Sequence, residues 1–150
     1  MRIVADTTVP AEQVLEAAHD FSDRRADVFP AVSVERMTVH ELGQTSADVT
    51  EGSSTGVGAN WERCRYDWSQ PGVVTATVTD SNVYAFPGSS WELEATASSE
   101  GSRVEMTWVR DFQRSPRGRF WGTLFRLLGK PIFRKYARDV LKNLEQQTRA

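Results

Sequence analysis

A chain of 150 residues has the size of one domain, so we expect a single domain over residues 1–150. No run approaches the ~18 apolar residues of a membrane-spanning helix, and the first residues lack the pattern of a secretory leader. The one cysteine, Cys64, cannot form an internal disulfide, which favours a cytoplasmic protein. His19 and His40 stand at no metal-ligand spacing, so neither a metal nor another cofactor is predicted.

The charge is distributed unevenly along the chain. The formal net charge is −2, yet the segment from Arg114 onward contains ten basic and two acidic residues, a local balance of +8. A basic amphipathic helix can bind a membrane surface or a partner, or it can dock on the acidic remainder of the chain. The second interpretation is favoured because the apolar face of this segment is needed for a core. Nucleic acid is not predicted as a partner, since the whole chain is acidic and lacks a groove-entering motif.

The first thirty residues predict one strand and two helices. Arg2–Val9 is expected to form a short strand. Pro10–Phe21 is expected to form a helix, because proline is well suited to its first turn. Ser22–Phe29 is expected to form a second, shorter helix with its serine as the N-cap.

Beyond residue 30 the apolar residues follow a period of two, which predicts strands. The segments with this pattern are Val34–Glu41, Gln44–Glu51, Gly58–Trp68, Val73–Thr79, Ser90–Ser98 and Arg103–Phe112. Gly52–Gly58 has the composition of a turn. Short linkers and polar outer faces indicate an antiparallel meander.

The segment Ser115–Ala150 predicts one long helix. Ser115 suits the N-cap, and Pro116 suits the first helical position. Pro131 predicts a kink. The apolar residues of the second half, three or four positions apart, share one face; they are Phe133, Tyr136, Ala137, Val140, Leu141 and Leu144. The whole pattern predicts an α+β domain, in which a curved antiparallel sheet of about seven strands wraps around the long C-terminal helix and two short helices follow strand 1.

This order of elements resembles the START-like, or SRPBCC, superfamily, and its polyketide cyclase/dehydrase and lipid-transport group in particular. Two segments carry the resemblance further: G-x-G-x-x-W-x-x-x-R-x-x-W from Gly56 to Trp68, and MTWVRDF from Met106 to Phe112. The resemblance implies the helix-grip fold, with a deep cavity between the sheet and the last helix. It also implies an apolar ligand such as a lipid or a polyketide.

Aromatic and aliphatic side chains of the predicted strands and of the early last helix are the candidates for the cavity wall. Apolar walls with a few polar groups are typical of small-molecule sites. The ligand-binding candidates are Met37, Val39, Trp61, Arg65, Tyr66, Tyr84, Phe86, Trp91, Leu93, Met106, Trp108, Phe120, Leu124, Phe125 and Leu128.

Two alternatives stay open for the strand Gly58–Trp68, because alternation does not tell which face points inward. If its odd-numbered residues face inward, Arg65 is the best polar anchor for a ligand oxygen, as the resemblance to aromatase/cyclases also suggests. If its even-numbered residues face inward, Tyr66 and Glu62 are the polar pair. Arg65 and Tyr66 are therefore the two catalytic candidates. Arg110 and Asp111 are expected to form an ion pair at the end of a strand.

Three functions remain. The leading hypothesis is a non-catalytic protein that binds or carries a hydrophobic small molecule, because no catalytic constellation is recognisable. The alternative is an enzyme of the polyketide aromatase/cyclase type, in which a positioned Arg or Tyr handles enolate charge and proton transfer. The third is a membrane-surface or partner-binding module that uses the basic C-terminal helix. The sequence makes no prediction of the oligomeric state.

Overall fold

Segments of alternating, β-branched-rich sequence form one antiparallel sheet. The computed structural model describes residues 1–55 and 58–149, with side chains at 1–53 and 59–149. The strands are β1 (Arg2–Thr7), β2 (Thr38–Leu42), β3 (Ser46–Thr55), β4 (Gly58–Asp67), β5 (Val73–Ser81), β6 (Ser90–Ser98) and β7 (Gly101–Val109). Their order in space is β1-β7-β6-β5-β4-β3-β2, so the chain's first strand pairs with its last and every later strand pairs with its neighbour in sequence.

The alternation of side chains places one face of the sheet in the core. In β6 and β7 the paired residues Trp91 and Trp108 are both buried, as are Leu93 and Met106 two pairs further along. The residues between them on each strand point to the other face, as the period of two requires. This face therefore forms the floor of the interior.

Helices follow the first and the last strand. They are α1 (Ala11–Ala18), α2 (Arg25–Val28) and α3 (Pro116–Arg149), and a 3₁₀ turn spans Val34–Arg36. The 34 residues of α3 correspond to about 51 Å at the rise of an α-helix. The second half of α3 packs tightly on the sheet and buries Ala137, Val140, Leu141 and Leu144. The helices that the structure describes are all too short or too polar to cross a membrane.

The structure confirms the predicted fold class, while several boundaries differ. Residues 34–36 form a 3₁₀ turn rather than a strand, and β2 begins only at Thr38. The expected turn Gly52–Gly58 belongs to paired strands as far as Thr55, and residues 56 and 57 lie outside the described part. A glycine at position 52 leaves room for Arg36, because a Cβ there would lie 3.0 Å from the Cβ of Arg36. Pro131 lies within α3, which continues on both sides of it.

The predicted cap of α3 is present, and it generates a stability prediction. The hydroxyl of Ser115 accepts a hydrogen bond from the N–H of Gly118 at 3.1 Å. Ser115→Ala removes this acceptor and should lower the free energy of unfolding by about 1 kcal/mol, measured by urea denaturation.

Thr123→Ala is the matched control, because the Thr123 hydroxyl in the same helix donates only to the carbonyl of Arg119. That carbonyl belongs to the interior of the helix, so the change should leave stability within about 0.5 kcal/mol of the original. Equal effects of the two substitutions would contradict a capping role for Ser115.

Candidate functional site

A cavity of about 320 Å³ lies between the sheet and the first half of α3. Its floor consists of inward-facing side chains of β4 to β7, and α3 supplies the opposite wall. The main floor residues are Cys64, Tyr66, Ala76, Trp91 and Trp108, and Trp61 also borders the cavity. The wall residues from α3 are Trp121, Leu124, Phe125, Gly129, Ile132, Phe133 and Tyr136.

Edge-to-face aromatic contacts hold the two sides of the cavity together. The ring of Trp108 on the sheet lies 4.7 Å from that of Phe133 on α3, at an angle of 64°. Phe133 in turn lies 5.4 Å from Phe125, at 76°. Such pairs favour a fixed mutual orientation. The walls are therefore apolar and geometrically defined.

A buried polar network closes the cavity where α2 meets β3 and β4. The guanidinium of Arg25 pairs with the carboxylate of Glu51. The Tyr66 hydroxyl donates to Glu51 at 2.6 Å and accepts from Arg25 Nη2 at 3.1 Å. Arg25 Nη1 also donates to the carbonyls of Ala18 and Asp20, at 3.1 and 3.3 Å. Every nitrogen of this guanidinium thus has an acceptor.

The electrostatics of this network keep Arg25 and Tyr66 each in one protonation state. Burial alone would lower the pKa of Arg25, but Tyr66 and Glu51 outweigh it and the pKa lies above its ordinary value. Burial, reinforced by the charge of Glu51, raises the pKa of Tyr66 well above 10. Arg25 therefore stays charged and Tyr66 stays protonated at neutral pH.

A second ion pair borders the cavity at Glu62 and Arg110. Arg110 Nη1 and Nη2 donate to the two carboxylate oxygens of Glu62 at 3.1 and 3.3 Å. The guanidinium carbon lies 4.4 Å from the ring centroid of Tyr84, in cation–π geometry. The expected pairing of Arg110 with Asp111 is wrong: Arg110 continues the inward face of β7, and alternation turns Asp111 to the opposite side.

The two polar groups lie at different positions along one strand. Tyr66, Cys64 and Glu62 occupy successive inward positions of β4 and all border the cavity. Four residues at ~3.3 Å each separate the first from the last by about 13 Å along the strand. Between them, burial raises the pKa of the Cys64 thiol, which therefore stays neutral and serves as a small apolar surface.

Comparison with known protein families identifies the family of this chain. The model of the family described as polyketide cyclase/dehydrase and lipid transport matches residues 2–148. The chain belongs to this family. A search of curated proteins found no match.

Solved structures share the helix-grip fold of this polyketide cyclase/dehydrase and lipid-transport family at low identity. The Zhui aromatase/cyclase from Streptomyces sp. R1128 is 17% identical, with a TM-score of 0.79 over 100% of this chain and 95% of that one. A START superfamily protein from Mycobacterium smegmatis is 7% identical, with a TM-score of 0.75 over 98% and 97%. TTHA0849 from Thermus thermophilus is 16% identical, with a TM-score of 0.74 over 97% and 94%. At these identities the likeness extends to the fold alone.

The cavity of this family member brings together only part of the predicted ligand-binding set. The predicted residues that border it are Trp61, Tyr66, Tyr84, Trp91, Trp108, Leu124 and Phe125. The predicted residues that do not border it are Met37, Val39, Arg65, Phe86, Leu93, Met106, Phe120 and Leu128.

The residues outside the cavity are excluded for two physical reasons. Leu93 and Met106 face inward but are fully buried in the continuous core. The others lie on the surface or at the edge of the core. Arg65 is exposed because its neighbours Cys64 and Tyr66 take the inward face of β4, which decides between the two alternatives that alternation left open. Phe120, on α3, is likewise exposed.

Sequence reasoning predicted Tyr66 but missed its two partners in the polar network, Arg25 and Glu51. Arg25 stands four residues after Phe21 and four before Phe29, and its guanidinium lies 4.7 Å from the centroid of each ring. An arginine with an aromatic residue four positions away on each side is a sequence pattern that could have indicated this contact. Glu51 follows the buried Val49 at the next inward position of β3, where a carboxylate is unexpected without a partner.

The three tyrosines of the chain generate a pH prediction. Burial raises the pKa of Tyr84 to about 12 and raises those of Tyr66 and Tyr136 as well. The folded state therefore binds protons that the unfolded state releases near pH 10, and stability should fall as the pH rises from about 10 to 12.

The measurement is the near-ultraviolet absorbance of tyrosinate during an alkaline titration, with circular dichroism as the monitor of folding. The native protein should form tyrosinate only well above the pH at which the urea-unfolded chain does. Formation of tyrosinate near pH 10 while the protein remains folded would contradict the burial of these hydroxyls.

Proposed function

We propose that the protein binds and carries a hydrophobic small molecule, such as a lipid or a polyketide, in the cavity between the sheet and α3. The observation that carries the proposal is the cavity itself: about 320 Å³, with walls that are mainly aromatic and aliphatic and with two defined polar groups. Ligand sites have volumes from about 300 Å³ upward and this type of lining. The family's description, which includes lipid transport, supports the same class of ligand.

The cavity also has a route to the surface. Trp61 and Ile132 border it from opposite sides and are 37% and 49% exposed. Large apolar side chains that border the cavity and are open to water support entry of an apolar ligand at this place. Exchange of ligand there needs no separation of the tightly packed second half of α3.

A binding role is favoured over the cyclase alternative by the state of the two candidate catalytic groups. Arg65 lies on the exposed face of β4, away from the cavity. The single proton of the Tyr66 hydroxyl is donated to Glu51, and the pKa of that hydroxyl is well above 10. A general acid is most effective with a pKa near the working pH. Tyr66 is therefore better suited to hold the cavity's shape than to transfer protons.

Native mass spectrometry of the purified protein, followed by organic extraction, tests the proposal directly. A retained apolar adduct would support it and identify the ligand. The neutral fluorescent probe N-phenyl-1-naphthylamine provides a second test, since it should bind with enhanced fluorescence and be displaced by the extracted ligand. A folded protein that binds neither would contradict the proposal.

Filling the cavity should weaken binding of that probe. Ala76 is buried on β5 and borders the cavity, between Tyr66 and Trp91 on the adjacent strands. Ala76→Phe places a ring in the ligand's space and should weaken probe binding by about tenfold or more.

Thr77→Phe is the matched control, because Thr77 is the next residue of β5 and points to the exposed face. It should leave probe affinity unchanged. Equal affinity of the two variants for the probe, whether high or low, would contradict binding in the cavity, provided that both variants remain folded by circular dichroism.

A second function is favoured by the exposed surface of α3. Phe120, Leu127 and Leu128 lie at helical spacing and are largely exposed, with Leu127 at 72%. Arg126 and Lys130 are exposed on the same half of the helix, which contains no acidic residue before Asp139. We propose that this surface docks on anionic membranes, because apolar side chains flanked by basic ones bind such interfaces.

Flotation with vesicles containing phosphatidylglycerol tests the docking surface. The protein should float with these vesicles at low salt and remain unbound at high salt. It should not bind vesicles of pure phosphatidylcholine. Leu127→Glu with Leu128→Glu should abolish flotation. Leu42→Glu, at an exposed leucine on β2 of similar chemistry, should not. Unchanged flotation of the double variant would rule out α3 as the docking surface.

A further inference from the structure

A second void lies next to the cavity, at the end where α2 meets the sheet. It is a groove of about 470 Å³ between α1, α2 and the last turns of α3. Exposed side chains such as Gln13 and Thr148 border the groove, so it is open to water. Among the residues that the structure describes, Arg25 alone borders both the groove and the cavity. One side chain therefore lies between the surface and the interior at this place.

The side chain of Arg25 fills the space between the two voids. It is only 3% exposed. Its guanidinium carbon lies 4.7 Å from the ring centroids of Phe21 and of Phe29, and 5.4 Å from that of Tyr66. All three distances are within the cation–π range of ~6 Å. Passage between the groove and the cavity therefore requires displacement of this guanidinium.

The charges on both sides of Arg25 make such a displacement possible. A buried charge is costly to leave without any partner. When the guanidinium moves away, the carboxylate of Glu51 keeps the hydrogen bond that the Tyr66 hydroxyl donates to it at 2.6 Å. On the other side, the acidic residues Glu16 and Asp20 border the groove. Arg25 thus has acidic partners in both positions, which lowers the free energy needed to move its side chain.

We propose that Arg25 closes a second, polar entrance to the cavity, and that this entrance opens when the guanidinium turns from Glu51 toward the acidic side chains of the groove. Water and other small polar molecules pass there, whereas an apolar ligand uses the route beside Trp61 and Ile132. Water can then leave the cavity at one end while a ligand enters at the other. The proposal concerns access to the cavity and holds for any ligand.

The single cysteine of the chain reports access from this end. Cys64 is the next inward residue of β4 after Tyr66, and it is buried at the border of the cavity. The measurement is the rate at which iodoacetamide, a small, uncharged and polar reagent, alkylates this thiol, followed by the mass of the intact protein. No ligand takes part in the reaction. A negative result would therefore leave the proposed binding function standing.

Two double variants separate the bulk of Arg25 from its charge. Arg25→Ala with Glu51→Gln opens the passage, whereas Arg25→Met with Glu51→Gln removes the same two charges and keeps a long side chain there. Because the charges near the thiol are the same in both, a difference in rate reports the passage alone. The alanine variant should react about tenfold faster or more than the methionine variant, since the passage is then permanently open. Equal rates, with both variants folded by circular dichroism, would overturn the proposal.

A further substitution on α1 tests the route itself. Gln13→Trp places a large ring at the groove and should slow alkylation of the alanine variant. Glu12→Trp is the matched control, because Glu12 is the preceding exposed residue of α1 and does not border the groove. If Gln13→Trp has no more effect than Glu12→Trp, the reagent enters elsewhere and the second entrance is ruled out.

The same pair of substitutions decides the question if the alanine variant does not fold. In the otherwise unaltered protein, Gln13→Trp should slow alkylation of Cys64, because it obstructs the groove into which Arg25 turns. Glu12→Trp should leave the rate unchanged. Equal rates for these two single variants would show that small polar molecules reach the cavity by another route, and would overturn the role of Arg25.

Discussion

One helix must cover the inward face of a seven-stranded sheet, and the rest of the structure depends on how it does so. The second half of α3 brings small and aliphatic residues, such as Ala137 and Val140, into full contact with the sheet. The first half of α3 instead carries large aromatic side chains, such as Phe125, and these lie opposite large aromatic side chains of the strands. The rings of Trp108 and Phe133 meet edge to face and join the sheet to the helix, and the cavity lies beside this contact.

Two buried ion pairs complete this arrangement, and their value lies in geometry more than in stability. Removing a charge pair from water costs about as much as the pair returns, so Arg25 and Glu51 add little net stability. They do connect α2 to β3 and, through Tyr66, to β4. Apolar side chains in place of this network would allow the end of the cavity next to α2 to collapse or shift. Hydrogen bonds of fixed direction preserve one shape for the cavity.

The sequence predicts the fold well and the site only in part, for a physical reason. Periods of two and of 3.6 residues state which residues share a face, which is enough for the order of strands and for α3. They do not state which face is inward, so Arg65 and Tyr66 remained equal candidates until the neighbouring strands were in place. Arg25 and Glu51 were overlooked, and Arg110 was given the wrong partner, because a charge normally indicates a solvated position. Only the partner, distant in sequence, reverses that expectation.

Two polar ends and an apolar middle divide the cavity along β4. Tyr66 and Glu62 stand about 13 Å apart along the strand, with the neutral Cys64 between them. At the Tyr66 end the hydroxyl has two partners, and at the Glu62 end both carboxylate oxygens are bound to Arg110. Polar groups that already have partners compete weakly for the polar atoms of a ligand. Burial of apolar surface against the aromatic walls would therefore supply most of the binding free energy of the proposed ligand.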